Sequence, residues 1–354
     1  MISAVFVSYR SADLAIRAIE TFREDARRAG RSAEAVVVVN SEDPAEQAAL
    51  EPHADTVLLP SRNLGYAGGL NAGIAVSRGE TLFLANPDLR FAEGSVGALA
   101  EAVEGNDLVA AGPALYADGA RAILMPPAEE ARPEELARRA LAADPERSAR
   151  TFRREARRAA AQAEYATAGR TAGVRGLSGA LVAVSRRTLE AVGPFDEGYR
   201  LYYEENDWQR RLLLAGGRLL FVGRAHVVHL FGQSTRKEAR SAAWFAESEA
   251  RYFEKHFGEA GARGLARLAR FRPVDGSAAP LVSELRWDHP APAAVAVSPY
   301  PHFRPFGLVL VPPGERSWLL PEDFARARSG ETLWVRVFAR ESGVILAEGR
   351  FAAA

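Results

Sequence analysis

Cysteine is absent from the 354 residues. That excludes disulfides and thiolate metal sites, and gives no sign of an oxidising compartment. Neither charge is in excess, because 45 Lys and Arg balance 45 Asp and Glu. No global field therefore draws nucleic acid or an acidic partner. No apolar run approaches the roughly 20 residues that span a bilayer. The opening Met1-Ile-Ser-Ala-Val-Phe-Val-Ser-Tyr9 lacks the basic start and long apolar run of a signal peptide. The expectation is a cytoplasmic chain, with at most peripheral membrane contact. Hydrophobic residues make up 48% and charged residues 25%, as in ordinary globular proteins. The length suits one large domain with a small one, or two medium ones.

What is present alternates. Ile2–Ser8 and Ala35–Val39 are short apolar runs, as strands covered on both faces read. Thr56–Leu59 and Thr81–Ala85 give two more strands. Helical spacing fills the gaps: Leu14–Ala29, with Ser11 or Asp13 as its cap, Pro44–Leu50, and a segment following the glycine cluster Asn63-Leu-Gly-Tyr-Ala-Gly-Gly-Leu-Asn-Ala-Gly73. This alternation predicts a mostly parallel sheet with helices on both faces, an α/β class. Ligands of such sheets sit at the carboxyl ends of strands, where Asp13, Asn40 and Asp88 fall. Ala92–Glu104 reads as a helix and Val109–Leu115 as a strand.

From about 126 to 173 the chain turns rich in Ala, Glu and Arg, including Arg150, Arg153, Arg154, Arg157 and Arg158. The expectation is one or two exposed helices inserted into a first domain of residues 1–272, either a solvated hairpin or a basic docking surface. Two short strands, 219–222 and 226–229, precede a helix at 241–256. After Pro273, prolines punctuate short strand-like runs. These predict a small all-β, sandwich-like domain over 278–354, with Trp287, Trp318 and Trp334 as core.

The stretch with the most chemistry is Leu201-Tyr-Tyr-Glu-Glu-Asn-Asp-Trp208. It puts Glu204, Glu205 and Asp207 at a helix start. Acids are ordinary there, because the helix dipole favours them. The surrounding series gives them a direction. Phe6-Val-Ser-Tyr-Arg-Ser11, the 63–73 cluster, Asn86-Pro-Asp88, Gly176-Leu-Ser-Gly-Ala180, Val192-Gly-Pro-Phe-Asp-Glu197 with Tyr203-Glu-Glu-Asn-Asp-Trp208, and Val228-His-Leu-Phe-Gly-Gln-Ser234 occur in order.

Together these six stretches resemble the family-2 glycosyltransferases of the GT-A fold, in particular the rhamnosyltransferase-like branch. The resemblance covers roughly residues 1 to 257 outside the Arg-rich insertion. It implies inverting transfer of a sugar, rhamnose or another deoxysugar or hexose, from a nucleotide-diphosphate donor to a hydroxyl of a glycan or lipid-linked acceptor. An acceptor hydroxyl must lose its proton to a placed carboxylate. The resemblance gives that role to Glu205, with Glu204 as the alternative, and leaves Asp207 to cap or orient the helix. It implies Mg2+ or Mn2+ held by Asp88 and His229. The donor and acceptor would meet Ser8, Tyr9, Arg10, Asn40, Asn63, Gly65, Gly68, Asn71, Asn86, Ser178, Gly179, Asp207 and Ser234. Self-association is also expected. Two residues depart from the pattern: Asn40 stands where an Asp is usual, and Glu205 where Asp is commoner. A catalytically silent GT-A module and a sugar nucleotidyltransferase are the competing readings. The first loop lacks the Gly- and Arg/Lys-rich composition the latter needs.

Overall fold

The computed structural model describes residues 1–125, 128–143, 148–229, 240–268, 279–303 and 306–353. Its elements begin with β1 (Ile2–Ser8), α1 (Ala12–Arg28), β2 (Ala33–Val39), α2 (Pro44–Leu50), β3 (Thr56–Leu58), α3 (Gly65–Val76), β4 (Thr81–Ala85), β5 (Leu89–Phe91), α4 (Ser95–Val103) and β6 (Val109–Tyr116). Next come β7 (Leu124–Met125), α5 (Pro133–Ala143), α6 (Ser148–Thr167), β8 (Thr171–Val174), β9 (Leu181–Ser185), α7 (Arg186–Val192), α8 (Glu204–Leu214), β10 (Arg218–His229) and α9 (Ser241–Leu268), which breaks at Gly258. The last are β11 (Glu284–Arg286), β12 (Ala293–Ser298), β13 (Gly307–Leu310), β14 (Ser317–Leu319), α10 (Glu322–Ala327), β15 (Thr332–Ala339) and β16 (Ile345–Ala352).

These elements form two compact units. The first takes Met1–Ala114, Pro127–Ala131 and Ala168–His256; the second takes Leu115–Pro126, Arg132–Thr167 and Phe257–Ala354. Most of the Arg-rich segment, expected inside the first domain, thus falls in the second unit.

In the first unit β1 lies between β2 and β4, parallel to both, and β3 extends the parallel set beyond β2. Every residue of β1 is buried, because helices cover both faces. β9 runs antiparallel to β4 and β6, and β10 runs antiparallel to β5 and β8. The parallel strands bring Ser8, Asn40 and Asn86 to one carboxyl-end edge. Helix α3 sits tightly on this sheet. A Cβ at Gly69 would lie 2.8 Å from a Val7 methyl, and one at Gly73 2.4 Å from a Val5 methyl. β10 is one strand where the sequence suggested two. The Gly223-Arg-Ala225 interruption is carried through because β8 and β5 pair with it on either side of the break.

In the second unit, β16, β15, β12, β13 and β7 form an antiparallel series. Alternation along β15 gives it two covered faces. Leu333, Val335 and Val337 pack with Leu285, Trp287 and Phe324. Phe338 instead meets Phe152 of α6, which also touches Phe303 and Phe306. One face thus carries α6, and the core on the other takes in Leu285 and Trp318 of the two-stranded sheet β11–β14. The apolar stripe Phe152, Ala156, Ala159, Ala163 and Ala166 is buried, so α6 is amphipathic rather than solvated all round.

Candidate active site

The first turn, after β1, is closed by a residue that sequence reasoning missed. Glu46, on α2, is buried. Its carboxylate accepts from Ser8 Oγ at 2.6 Å, Arg10 N at 2.9 Å and Ser11 N at 2.8 Å, and also from Ser41 Oγ. Ser8 is therefore engaged inside the protein. Tyr9 and Arg10 are the partly and fully exposed residues of the turn, and Arg10 stacks its guanidinium over the Tyr9 ring. No sequence signal marks Glu46, since glutamate is common on a short helix.

Asn40 uses both ends of its amide on the chain. Its Nδ2 donates to Gly65 O at 2.9 Å, and its Oδ1 accepts from Leu64 N at 2.8 Å. Asn63 Oδ1 accepts from Gly65 N at 2.9 Å. Gly65 itself has φ +74, and a Cβ there would lie 2.8 Å from Arg200 O. A Cβ at Gly68 would lie 2.9 Å from Leu64 Cβ, with the Glu197 carboxyl in ordinary contact at 3.6 Å. Asn71 ties α3 to the 193–197 loop through Phe195 N, Phe195 O and Glu197. The glycine-rich stretch is thus filled by protein atoms. Its close approaches are of helix to strand and of helix to loop.

The next groups converge. Asn86 N donates to Ala180 O at 2.8 Å, tying the end of β4 to the turn before β9. Its side chain accepts from Tyr66 Oη at 2.8 Å. Asp88 is 1% exposed, and its Oδ1 accepts no hydrogen bond. The imidazole of His229 stands beside it, with Nε2 3.3 Å from that oxygen. The antiparallel pairing of His229 with Leu89 sets that contact. Tyr66, named in the sequence motif but not as a site residue, stands among these acids. Burial first, then the charges of Glu204, Glu205 and Asp88, push its phenol well above the usual range. It is held as a neutral hydrogen-bond donor.

Glu204 and Glu205 open α8 from an unusual approach, since both Tyr202 and Tyr203 have φ +69. Left-handed backbone at two successive bulky residues is strained. It is retained here with Tyr203 Oη donating to Glu249 at 2.6 Å. The two carboxyls are hydrogen-bonded to each other, and each keeps one buried oxygen with no partner. Burial, then the charge of Glu205, raises Glu204 well above the usual carboxylate range; burial raises Glu205 as well. Such a pair titrates as a unit. Opposite it, Gly179 leaves room that only glycine gives. A Cβ there would lie 2.7 Å from Glu205 Cγ and 2.9 Å from its Cδ. Gln209, a second residue without a sequence signal, clamps this turn by accepting from Leu177 N at 2.7 Å and donating to Leu177 O at 2.9 Å. Ser178 Oγ accepts from Ala180 N.

Two expectations follow. Gly179→Ala should push the Glu205 side chain aside and lower turnover by about tenfold or more, as misplacement of a reacting group does, with little change in melting temperature. Steady-state kinetics beside a thermal melt checks it. Glu204→Gln should stabilise the protein at high pH. A carboxyl whose folded pKa is raised holds its proton in the folded state, so stability falls as pH rises through that raised value. The amide removes the penalty. The variant should therefore melt higher than wild type at pH 8, with the gap closing as pH falls to the ordinary carboxylate range, about 4.

Asp207 faces away from this pair. It is fully buried and binds Arg211 at 2.9 Å, His256 at 2.8 Å and Lys255 at 2.7 Å. Burial alone would raise its carboxyl, but hydrogen bonds from His256, Lys255 and Arg211 outweigh that and hold it well below the usual range. It anchors α8 to α9. Ser234 lies outside the described residues. The structure thus gathers Tyr66, Asn86, Asp88, His229, Glu204, Glu205, Ser178 and Gly179, while Ser8, Asn40, Asn63, Asn71 and Asp207 hold the frame. Among the described residues no group of three His, Asp or Glu is placed to hold a metal ion, and no helix is long and apolar enough to cross a membrane.

A parallel-sheet edge thus carries a buried pair of adjacent carboxyls, both raised above the usual range by burial. Residues 3–173 match the family model described as glycosyl transferase family 2. The Ser178–Gly179 turn, the carboxyl pair and His229 lie beyond the matched residues. A comparison with curated proteins finds no match. Among solved structures, GalNAc-T7 with UDP, GalNAc and Mn2+ is similar at 12% identity and a TM-score of 0.49, over 96% of this chain and 68% of that one. The mannosyltransferase PcManGT from Pyrobaculum calidifontis, in complex with GDP-Man and Mn2+, is similar at 15% identity and a TM-score of 0.42, over 77% of this chain and 76% of that one.

Proposed function

We propose that the protein is an inverting glycosyltransferase that moves a sugar from a nucleotide-diphosphate donor to a hydroxyl of a glycan or lipid-linked acceptor. The observation that carries this reading is Glu205, raised by burial, hydrogen-bonded to Glu204 and pressed against Gly179. A carboxylate with elevated proton affinity is matched to accepting a hydroxyl proton near neutral pH. Glu204, the more deeply buried of the two, shares the proton and tunes its neighbour. The acceptor lies along the Ser178–Gly179 turn, so that its oxygen meets Glu205 on one side and the anomeric carbon on the other. The attacked bond then breaks on the opposite face, and no covalent enzyme intermediate forms.

The donor diphosphate belongs at Asn86-Pro-Asp88. Asp88 offers a buried carboxylate oxygen without a hydrogen bond, and His229 an imidazole beside it. A hard oxygen and a nitrogen fit Mg2+ or Mn2+, with the donor's phosphates and water completing the set. Bound there, the cation supplies charge neutralisation to the departing nucleoside diphosphate. Tyr66, held protonated, donates to Asn86 and keeps that turn in place. Rhamnose or another deoxysugar is the preferred donor sugar.

One observation favours a second reading, a module that binds without turnover. The donors of the first turn are already taken by Glu46 and both ends of Asn40 by the 64–65 backbone, leaving fewer groups to read a nucleotide base. A release assay separates the two. Incubation with a panel of nucleotide-sugars and a divalent cation should liberate nucleoside diphosphate, fastest with a deoxysugar donor, and proton NMR of the product should show the inverted anomer. Binding without release supports the module instead.

A further inference from the structure

The second unit holds a basic groove that the proposed transfer does not use. Helix α6 carries Arg150, Arg153, Arg154, Arg157 and Arg158 against two acids, Glu155 and Glu164. Residues three and four apart are neighbours on a helix, and like charges at that spacing repel. Arg154 neighbours both Arg157 and Arg158, and Arg153 neighbours Arg157. Among the described residues, neither Arg154 nor Arg157 has an ion-pair or hydrogen-bond partner. The helix keeps a self-repelling row that a counter-anion would relieve.

The row forms one wall of a concavity of about 570 Å³, lined by Arg154, Arg157, Arg158, Glu164, Arg340 and Glu341. The opposite wall is the turn between β15 and β16. Its position against the helix is fixed by close approach: a Cβ at Gly343, which has φ +67, would lie 2.4 Å from Arg153 O and 3.0 Å from Arg157 Cγ. Arg340 reaches across to Glu164 only at 3.4 Å, and its Nε is buried with no hydrogen-bond partner. Ala160 and Ala161 line the same space and keep it open. Arg154 and Arg157 thus put two positive charges on this wall that no described carboxylate pairs.

We propose that this groove binds a phosphate ester. A guanidinium fork matches the oxygens of a phosphate in pairs. A phosphomonoester carries about −1.5 to −2 charge at neutral pH, which offsets the excess that a single carboxylate would leave half-compensated. The volume admits a phosphate or diphosphate with part of its alcohol. That ester is either soluble or the headgroup of a lipid, and the two share this chemistry.

The test is calorimetric titration of the full chain with inorganic pyrophosphate at fixed ionic strength, comparing wild type with the double variant Arg154→Gln/Arg157→Gln. The proposal expects saturable binding to wild type, weakened about tenfold or more in the variant, as loss of charged hydrogen bonds implies. Both side chains are exposed and their charges repel, so the melting temperature without ligand should stay level or rise slightly and should not fall. Equal pyrophosphate affinity in the two proteins, no binding to wild type, or acetate binding as well as pyrophosphate would each overturn it. A second arm uses vesicles of phosphatidylcholine with phosphatidic acid. Sedimentation of wild type but not of the variant assigns a lipid phosphate; no sedimentation, with pyrophosphate binding retained, assigns a soluble ester.

Discussion

Glu205→Gln should lower the rate of sugar transfer by about a hundred- to ten-thousandfold, with donor affinity nearly unchanged. The amide keeps the size and most of the contacts of the carboxyl, but it cannot accept a proton from an acceptor hydroxyl. The loss should therefore appear in kcat far more than in KM. The structure also separates Glu205 from its neighbour. Glu204 is 4% exposed, whereas Glu205 is less buried and lies against the Ser178–Gly179 turn. Glu204→Gln should cost less, because it removes the tuning partner and not the acceptor of the proton. The pH profile gives an independent reading. Burial raises both carboxyls, and the base works ionised. The acid limb of kcat/KM should therefore lie above the ordinary carboxylate range, and it should not move down in Glu204→Gln, because burial raises Glu205 while its hydrogen bond with Glu204 lowers it. If Glu204→Gln loses the activity and Glu205→Gln keeps it, the roles are exchanged. If both keep full rates, the carboxyl pair is not the base.

The largest effect on stability is expected at Asp207. Asp207→Asn preserves shape but leaves Arg211 and His256 facing a neutral amide in a buried place. Removing one partner of a buried ion pair costs about 3–5 kcal/mol. The low end is expected, because Lys255 also binds Asp196 at 2.8 Å and Arg211 also donates to the carbonyls of Val192 and Pro194 at 2.7 Å. Each kcal/mol corresponds to about 2–4 °C in a domain of 150–250 residues, so a calorimetric melt resolves it. The wild-type pH dependence has the opposite sign to that of Glu204. Asp207 is held below the usual carboxylate range, so its contribution is complete above an unfolded aspartate's pKa and is lost as pH falls. Stability of wild type should drop in acid, and the variant should lack that share of the drop. An unchanged melting temperature in Asp207→Asn would show that the network contributes little.

The parallel core was legible because its signal is local. Val36–Val39 is an apolar run, and such a run has few other places to go than a covered strand. The strands β5 and β8 were not, since runs of three or four residues acquire their state only by pairing with β10. For the site, the motifs located Asp88, His229, Glu204 and Glu205, all of which the fold brings to one region. They did not separate residues that touch a ligand from residues that hold the frame. Asn40 and Asn71 look alike in a sequence, and only the fold shows their amides bonded to backbone. Glu46 and Gln209 escaped because their work is done across 35 and 32 residues of chain. No spacing rule encodes that reach.

The first unit is drawn from three separate stretches, residues 1–114, 127–131 and 168–256. During synthesis the chain emerges from one end, so the strands β1 to β4 are available long before the carboxyl pair and His229. The edge carrying Asn86 and Asp88 forms early, while Glu205 and His229 arrive more than a hundred residues later. Contacts of such long sequence separation fold slowly. A nascent chain stalled before residue 181 should therefore expose an open sheet edge at β4, where β9 belongs, and depend on chaperones until that strand closes it.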